Sequence, residues 1–318
     1  LRRIRWRQGV RSGILTSWEL GKVIFPVTLL VSILQFTSLI DWLVLGLSPA
    51  MSWMGLPGEA AIPLVLGNLL NLYAGIGAIL SLDLTVKQVF ILAVMLSFSH
   101  NLLVESAVCR KVGIPSLLVM GVRMVLAAIS ACIIHWVWQG GGETAVYGMI
   151  PPSGTPPDGW PGMLLQGVET AAFGVLQMTV VVFPLMVAIQ ILKDLLWLER
   201  FAGWVKPLMR PLGIDTRGSV ILAGGLLFGL AMGAGVIIEQ AREKGFTRRD
   251  MTVMVLFLAA CHAVVEDTLI FIPLGIPVLP LLLIRLGVAV LLTLFLAWLW
   301  PRPSNTVSRS RAAGGGVA

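Results

Sequence analysis

The sequence predicts an all-α polytopic membrane protein built from two inverted repeats, each with about three spans, a re-entrant glycine-rich hairpin and an amphipathic linker helix. Three observations lead there: composition, a constant-offset internal repeat, and the placement of lysine and arginine along the chain. With 57% hydrophobic and 12% charged residues among 318, the chain has too few polar side chains to cover a water-facing surface. Apolar stretches of about 20 residues, enough to cross a hydrocarbon core of ~30 Å, recur at 18–40, 86–105, 115–138, 167–192, 251–272 and 280–300. Laying 18–138 over 176–300 puts Phe25-Pro26 on Phe183-Pro184, Asp41 on Glu199, Pro49 on Pro207, Gly55 on Gly213, Gly67 on Gly225, and Gly75-x-Gly77 on Gly233-x-Gly235. After a four-residue insertion in the second half, Thr85 falls on Thr247, His100 on His262, Gly113-Ile114-Pro115 on Gly275-Ile276-Pro277, and Arg123 on Arg285. Chance alignment of apolar segments matches leucines and valines, whereas these matches include proline, glycine, histidine and arginine.

The expected organisation is a first repeat over 1–138 with a basic cytoplasmic N-terminus, an external linker over 139–165, a second repeat over 166–300, and a disordered cytoplasmic tail over 301–318. The opening LRRIRWRQGVR holds five arginines in eleven residues and runs straight into an apolar span, unlike a cleavable signal. Basic residues beside apolar spans serve membrane topology, so the charge of +7 does not call for a nucleic-acid partner. Cys109, Cys132 and Cys261 are too few and too dispersed for a disulfide framework or a CxxC zinc site. The tail PRPSNTVSRSRAAGGGVA is small, polar and basic, a composition that cannot build a packed core.

Orientation follows from the cations. The connector GGGETAVYGMIPPSGTPPDGWPG has none, so it belongs outside, while 193–217 and 242–249 carry Lys193, Arg200, Lys206, Arg210 and Arg217, then Arg242, Lys244, Arg248 and Arg249, and belong inside. A segment between two cytoplasmic stretches cannot simply cross. Residues 218–239 are therefore expected to dip in and return as a hairpin whose glycines permit the turn. The matching 60–80 would dip in from the other side. Three spans plus a hairpin is an odd number of crossings, which turns the second half upside down, as in many secondary transporters. Ordinary tightly packed spanning helices are the competing structure. The linkers at 41–58 and 199–217, with Trp42, Trp53, Trp197 and Trp204, suit helices lying in the headgroup region or flat across the bundle.

Ionisable side chains inside spans cost about 2.5–3.5 kcal/mol or more near a helix centre, so each asks for a reason. In SFSHNLLVESA and AACHAVVEDTL, His-x4-acid occurs twice: His100 with Glu105, and His262 with Asp267, joined by Glu266. On a continuous helix His262 and Glu266 share a face, while Glu105 and Asp267 turn about 140° away from their histidines. One reading is a proton relay or cation site, since imidazole titrates near neutrality; another is an ion-pair lock, with Arg123 and Arg285 neutralising Glu105 and Asp267. Glu266 has Val104 opposite it in the first repeat, which a purely structural lock does not explain. Cys261, His262 and Glu266 offer a mixture that a late transition metal accepts. Asn68, Asn71 and Tyr73 of the first hairpin can bond a polar solute or satisfy the broken backbone. His135, Glu169 and Gln177 lie near span ends and fit wet interfaces. No Walker P-loop, GxSxG elbow or HExxH motif is present, so the expectation is not an enzyme, and no cofactor is called for.

The doubled FSHNLLVES and CHAVVEDTL motifs, each followed by a GIP turn and an arginine-bearing span, resemble the Gate, or nucleoside-recognition, family of membrane proteins over nearly all of 18–300. Related segments occur in concentrative nucleoside transporters and in the membrane part of ferrous-iron transporters. The resemblance implies inverted repeats, hairpins and passage of a small solute or ion. Unlike the iron transporters this chain carries no G domain, and unlike nucleoside transporters its second hairpin is almost free of polar side chains. The leading expectation is ion-coupled transport of a small polar solute of nucleoside type across the inner membrane, with both termini cytoplasmic. Divalent metal transport, and a non-transporting role as a membrane assembly partner or homo-oligomer, are the alternatives.

Overall fold

The computed structural model describes residues 5–34, 38–149, 159–195 and 197–301. The expected tail beyond 301 and the middle of the expected external linker lie outside them, as do the side chains of Asp41 and Trp42. Among the described residues the regular elements are helical, apart from one isolated bridge between Thr85 and Thr144. In the first half they are α1 (Trp6–Leu34), α2 (Ser38–Trp53), α3 (Ala61–Leu69), α4 (Leu72–Ile79), α5 (Val86–Ser99), α6 (Leu102–Lys111) and α7 (Ser116–Val137). The second half follows with α8 (Gly159–Asp194), α9 (Trp197–Met209), α10 (Ser219–Met232), α11 (Ala234–Lys244), α12 (Arg248–Ala260), α13 (Val264–Leu269) and α14 (Val278–Leu299).

Among the described residues six stretches are long and apolar enough to cross a membrane: Trp6–Leu34, Val86–Lys111, Ser116–Val137, Gly159–Asp194, Arg248–Leu269 and Val278–Leu299. Two of them are central. Val86–Lys111 and Arg248–Leu269 have 83% and 78% of their most apolar windows buried, against 22–33% for the other four. The outer four instead present Leu117, Trp136, Leu165, Leu291 and Trp298 outward, the surface a helix needs when its solvent is lipid. α1 starts at Trp6 rather than at 18, so Arg7 and Arg11 ride on the helix itself, and Pro26 and Pro184 sit inside α1 and α8 without ending them.

α1 and α8 pack antiparallel through small residues. A Cβ built on Gly9, Gly13, Gly21 or Gly167 would meet Val187, Phe183, Val175 or Leu29 respectively, so the contact register runs forward on one helix and backward on the other. Glycine lets the two backbones approach where no hydrophobic drive between helices exists. Within each half the buried helix packs on the following span, α5 on α7 and α12 on α14, and the pairing also crosses between halves, α5 on α14 and α12 on α7.

The glycine-rich stretches are folded back on themselves. A Cβ on Gly75 would stand 3.2 Å from the Cα of Gly67 and 3.0 Å from the carbonyl of Pro63; along a straight helix eight residues separate by about 12 Å. In the second half a Cβ on Gly233 would lie 3.3 Å from the carbonyl of Gly224. The two turns sit at matching positions. Asn71 is extended there and its side chain caps α4 by accepting from Ala74 N at 3.0 Å; Gly229 takes φ 78°, ψ 173°.

Local chemistry fixes the remaining ends. Thr85 and Gln88 form a capping box at the start of α5, and Thr247 caps α12 by accepting from Asp250 N, satisfying donors that a helix start leaves free. Gly113 and Gly275 take φ 88° and 70° in the two GIP turns, and the Pro115 and Pro277 that follow precede α7 and α14. Residues 139–149 lie over the start of α5: Val86 N donates to Glu143 O, Lys87 N to Gly141 O, and Ala145 N to Leu84 O. The Tyr147 hydroxyl donates to Leu82 O at 2.9 Å, and burial pushes its pKa up. Gln177, expected at a wet interface, is 5% exposed. Its amide donates to Pro273 O at 2.8 Å and accepts from Met149 N at 2.6 Å, so it ties that loop to the second half; a buried amide needs such partners. Glu169 is exposed. The α9 linker buries Ala202 and Met209 and exposes Trp204, whose ring meets Trp197 edge-on at 5.3 Å.

Candidate functional site

The two buried helices do not run through. α5 ends at His100, and Asn101 takes the left-handed φ 54° before α6 begins; α12 ends at Cys261, and Ala263 takes φ 43° before α13. Asparagine tolerates that conformation, whereas alanine there stores on the order of 1–2 kcal/mol. The freed backbone groups are taken up by matching partners. Asn101 N donates to Gly67 O at 2.9 Å and Ala263 N to Gly225 O at 3.0 Å, so each hairpin braces its own break. Arg123 Nη2 donates to His100 O at 2.7 Å, and Arg285 Nη2 to His262 O at 2.8 Å. A broken helix inside a bilayer is tolerable only where protein satisfies it in this way.

The breaks aim both histidines at one centre. Their Nδ1 atoms lie 2.7 Å from Leu96 O for His100 and 2.9 Å from Leu258 O for His262. A carbonyl only accepts, so the proton sits on Nδ1 and Nε2 turns inward. His262 Nε2 stands 3.0 Å from Glu105 Oε1 and 3.9 Å from Asp267 Oδ2; His100 Nε2 stands 3.7 Å from Glu105 Oε1 and 3.9 Å from Asp267 Oδ2. The imidazole rings are 5.2 Å apart. Behind the carboxylates, Arg285 Nη2 donates to Asp267 Oδ2 at 2.9 Å, and Arg123 Nη1 lies 2.6 Å from Glu105 Oε2 as an ion pair without hydrogen-bond alignment. Arg123 and Arg285 are fully buried and the other four nearly so.

Of the residues singled out in the sequence, His100, Glu105, His262, Asp267, Arg123 and Arg285 come together here. On a continuous helix Glu105 and Asp267 would face about 140° away from their histidines. A left-handed residue between histidine and acid resets the helical phase, so the fifth residue on, Glu105 or Asp267, faces the cluster. Glu266 instead accepts from the Tyr73 hydroxyl at 3.2 Å. The proposed trio Cys261, His262 and Glu266 does not assemble, because the break falls among these residues. Among the described residues the group close enough to share an ion is His100, His262 and Asp267. Asn71 is used up as a helix cap, and Asn68 reaches the Met124 sulfur at 3.7 Å, so neither faces the centre. His135 packs under Gly55, where a Cβ would strike its ring. The bracing glycines Gly67 and Gly225 stand outside the candidate residues of the sequence; their signal there is the pairing of glycine with glycine between the two repeats.

A family model described as Gate, nucleoside recognition, matches residues 17–129 and 175–279. Each matched stretch supplies one histidine and one carboxylate to the centre. The chain belongs to the Gate family. This Gate protein is also 56% identical over 294 residues to "Uncharacterized membrane protein YvoD" of Bacillus subtilis (strain 168), covering 92% of this chain and 94% of that one. No solved structure matches it. It is a multi-pass membrane protein of a transport-related family, and its two family segments meet at the buried histidine–carboxylate centre.

Proposed function

We propose that this Gate protein is an ion-coupled transporter for a small polar solute of nucleoside type, with the His100–Glu105–His262–Asp267 centre as its coupling site. The observation that carries the reading is the 3.0 Å approach of His262 Nε2 to Glu105 Oε1 across the two halves. With the Nδ1 proton committed to Leu258 O, a neutral imidazole would turn a lone pair toward a carboxylate lone pair, and two acceptors at that distance repel. A proton or another cation between them removes the repulsion. Occupancy of the centre is thereby linked to how closely the halves approach, which is what coupling by alternating access requires. The nucleoside class rests on the family description.

The inverted arrangement belongs to the same proposal. It is supported by the antiparallel register of α1 and α8, and by the position of the second GIP turn: a Cβ on Gly275 would lie 2.6 Å from Val146 O, in the loop over the start of α5. Together with the cation distribution, this reading puts residues near Gly142 outside an inner membrane, and both termini with Lys206 and Lys244 inside. Uptake of a nucleoside panel into proteoliposomes, with and without an imposed proton gradient, tests the function. Gradient-driven uptake that disappears in Glu105→Gln and His262→Gln, with both variants still folded, is the expected result; uptake indifferent to the gradient and to both substitutions would exclude it. Passage of a divalent metal is the second reading, favoured by the closeness of His100, His262 and Asp267, and metals in the same panel test it.

A further inference from the structure

We propose that His100 Nε2, His262 Nε2, Glu105 Oε1 and Asp267 Oδ2 form a binding site for one divalent first-row transition-metal ion. The proposal rests on the reading of this centre as the cation site of a transporter, and it adds the ligands and the class of ion. Ligands at about 2.0–2.1 Å around a tetrahedral ion stand about 3.3–3.5 Å from one another. The four imidazole-to-carboxylate separations are 3.0, 3.7, 3.9 and 3.9 Å; His100, His262 and Asp267 stand close enough to share an ion, and Glu105, outside that trio, completes the shell by moving toward Asp267. Both imidazoles already hold the orientation a metal ligand needs, Nδ1 donating to a carbonyl and Nε2 turned inward, and both carboxylates are held from behind by arginine. Such outer partners fix ligand geometry and tautomer.

A second, independent observation points to a ligand there: His262 Nε2 is fully buried and has no hydrogen-bond partner of acceptable alignment. The donor set decides the ion. Two imidazole nitrogens argue against calcium and magnesium, which take oxygen shells, and two nitrogens with two carboxylates suit zinc, cobalt, iron or manganese. Cys261 does not join the group, so no thiolate is offered.

The test uses the full chain, purified, stripped with chelator and placed in lipid nanodiscs, with Co2+ as probe. One Co2+ per chain is expected, with the visible absorption of a low-coordinate cobalt site and an X-ray absorption shell containing two imidazoles and no sulfur. Replacing an outer partner, as in Arg285→Gln, weakens binding by about 10–100-fold, and removing a ligand, as in His100→Gln or His262→Gln, weakens it by at least about 100-fold. Cys261→Ala and Glu266→Gln retain it. Substoichiometric binding, a sulfur or all-oxygen shell, or unchanged affinity in both histidine variants would overturn the site; the shell of the unaltered protein decides even if a variant fails to fold. Gradient-driven uptake without Co2+ binding would remove this inference and leave the transport reading. Stoichiometric Co2+ binding without flux of any solute or metal would do the reverse.

Discussion

The two halves of the chain bring the same residues to the centre and hold them unequally. Arg123 uses two of its nitrogens in hydrogen bonds, Nε to Phe98 O at 2.5 Å and Nη2 to His100 O, while Nη1 makes an ion pair with Glu105 without hydrogen-bond alignment. Arg285 bonds His262 O and Asp267 through Nη2 alone, and its Nε and Nη1 make no hydrogen bond among the described residues although the side chain is fully buried. After the break the first half continues as the ten-residue α6, whereas α13 lasts six residues before a 3-10 turn at Ile272–Leu274. The buried charge with fewer bonds, Arg285, has more donors left for water, a ligand or a second arrangement. The difference predicts that the first half holds the centre more firmly than the second.

The strongest way to break that comparison is to remove each arginine in turn. Arg123→Gln strands Glu105 and two carbonyls, and the loss of one partner of a buried pair costs about 3–5 kcal/mol. Arg285→Gln gives up fewer bonds, so its cost should be smaller by about 1–2 kcal/mol. Thermal or denaturant unfolding in detergent measures both, and Glu105→Gln added to Arg123→Gln should return most of the loss, since both buried charges then vanish together. Equal destabilisation by the two arginine substitutions would mean the unpaired donors of Arg285 find partners in solution, and the halves would not differ in firmness.

Much of this architecture can be read from residues alone. The doubled His-x4-acid, the GIP turns, the matched arginines and the paired glycines point to two related halves, to folded-back segments and to a polar set that contains the six residues of the centre together with Glu266, Asn68, Asn71 and Tyr73, which lie outside it, because proline, glycine and buried charges have few physical reasons to sit in an apolar span. The facing of the acids was not legible. It depends on one left-handed residue per half, and while Asn101 is a residue type that enters that region readily, Ala263 is not; nothing in its chemistry announces a break. Gln177 departs from its expected place for a related reason: a position near a span's start suggests water, but Pro273 and Met149, distant in sequence, close over it.

Ala263 therefore sharpens the comparison at lower energy. Glycine has no Cβ to clash in the left-handed region, so Ala263→Gly should stabilise the protein by up to about 1 kcal/mol, less what a freer unfolded chain takes back. Asn101→Gly should change stability less, since asparagine already tolerates its φ. The sign is the measurement: destabilisation by Ala263→Gly comparable to that of an ordinary helix position would show that Ala263 is not held left-handed.

The smallest expected effect concerns Tyr73 and Glu266, a polar contact between the first hairpin and the second half that has no counterpart, since Ala231 and Val104 stand at the matching positions. At 3.2 Å the bond is long for a hydroxyl and a carboxylate, so Tyr73→Phe should cost no more than about 1 kcal/mol of stability. Its use lies in what it restrains. With the hydroxyl gone, Glu266 is free to turn, and uptake rates in proteoliposomes should change in the same direction in Tyr73→Phe and in Glu266→Gln, with no further change in the double variant, because both remove one bond between the two halves. Additive effects in the double variant would show that Tyr73 and Glu266 act separately, and the hairpin of the first half would then have no polar hold on the second.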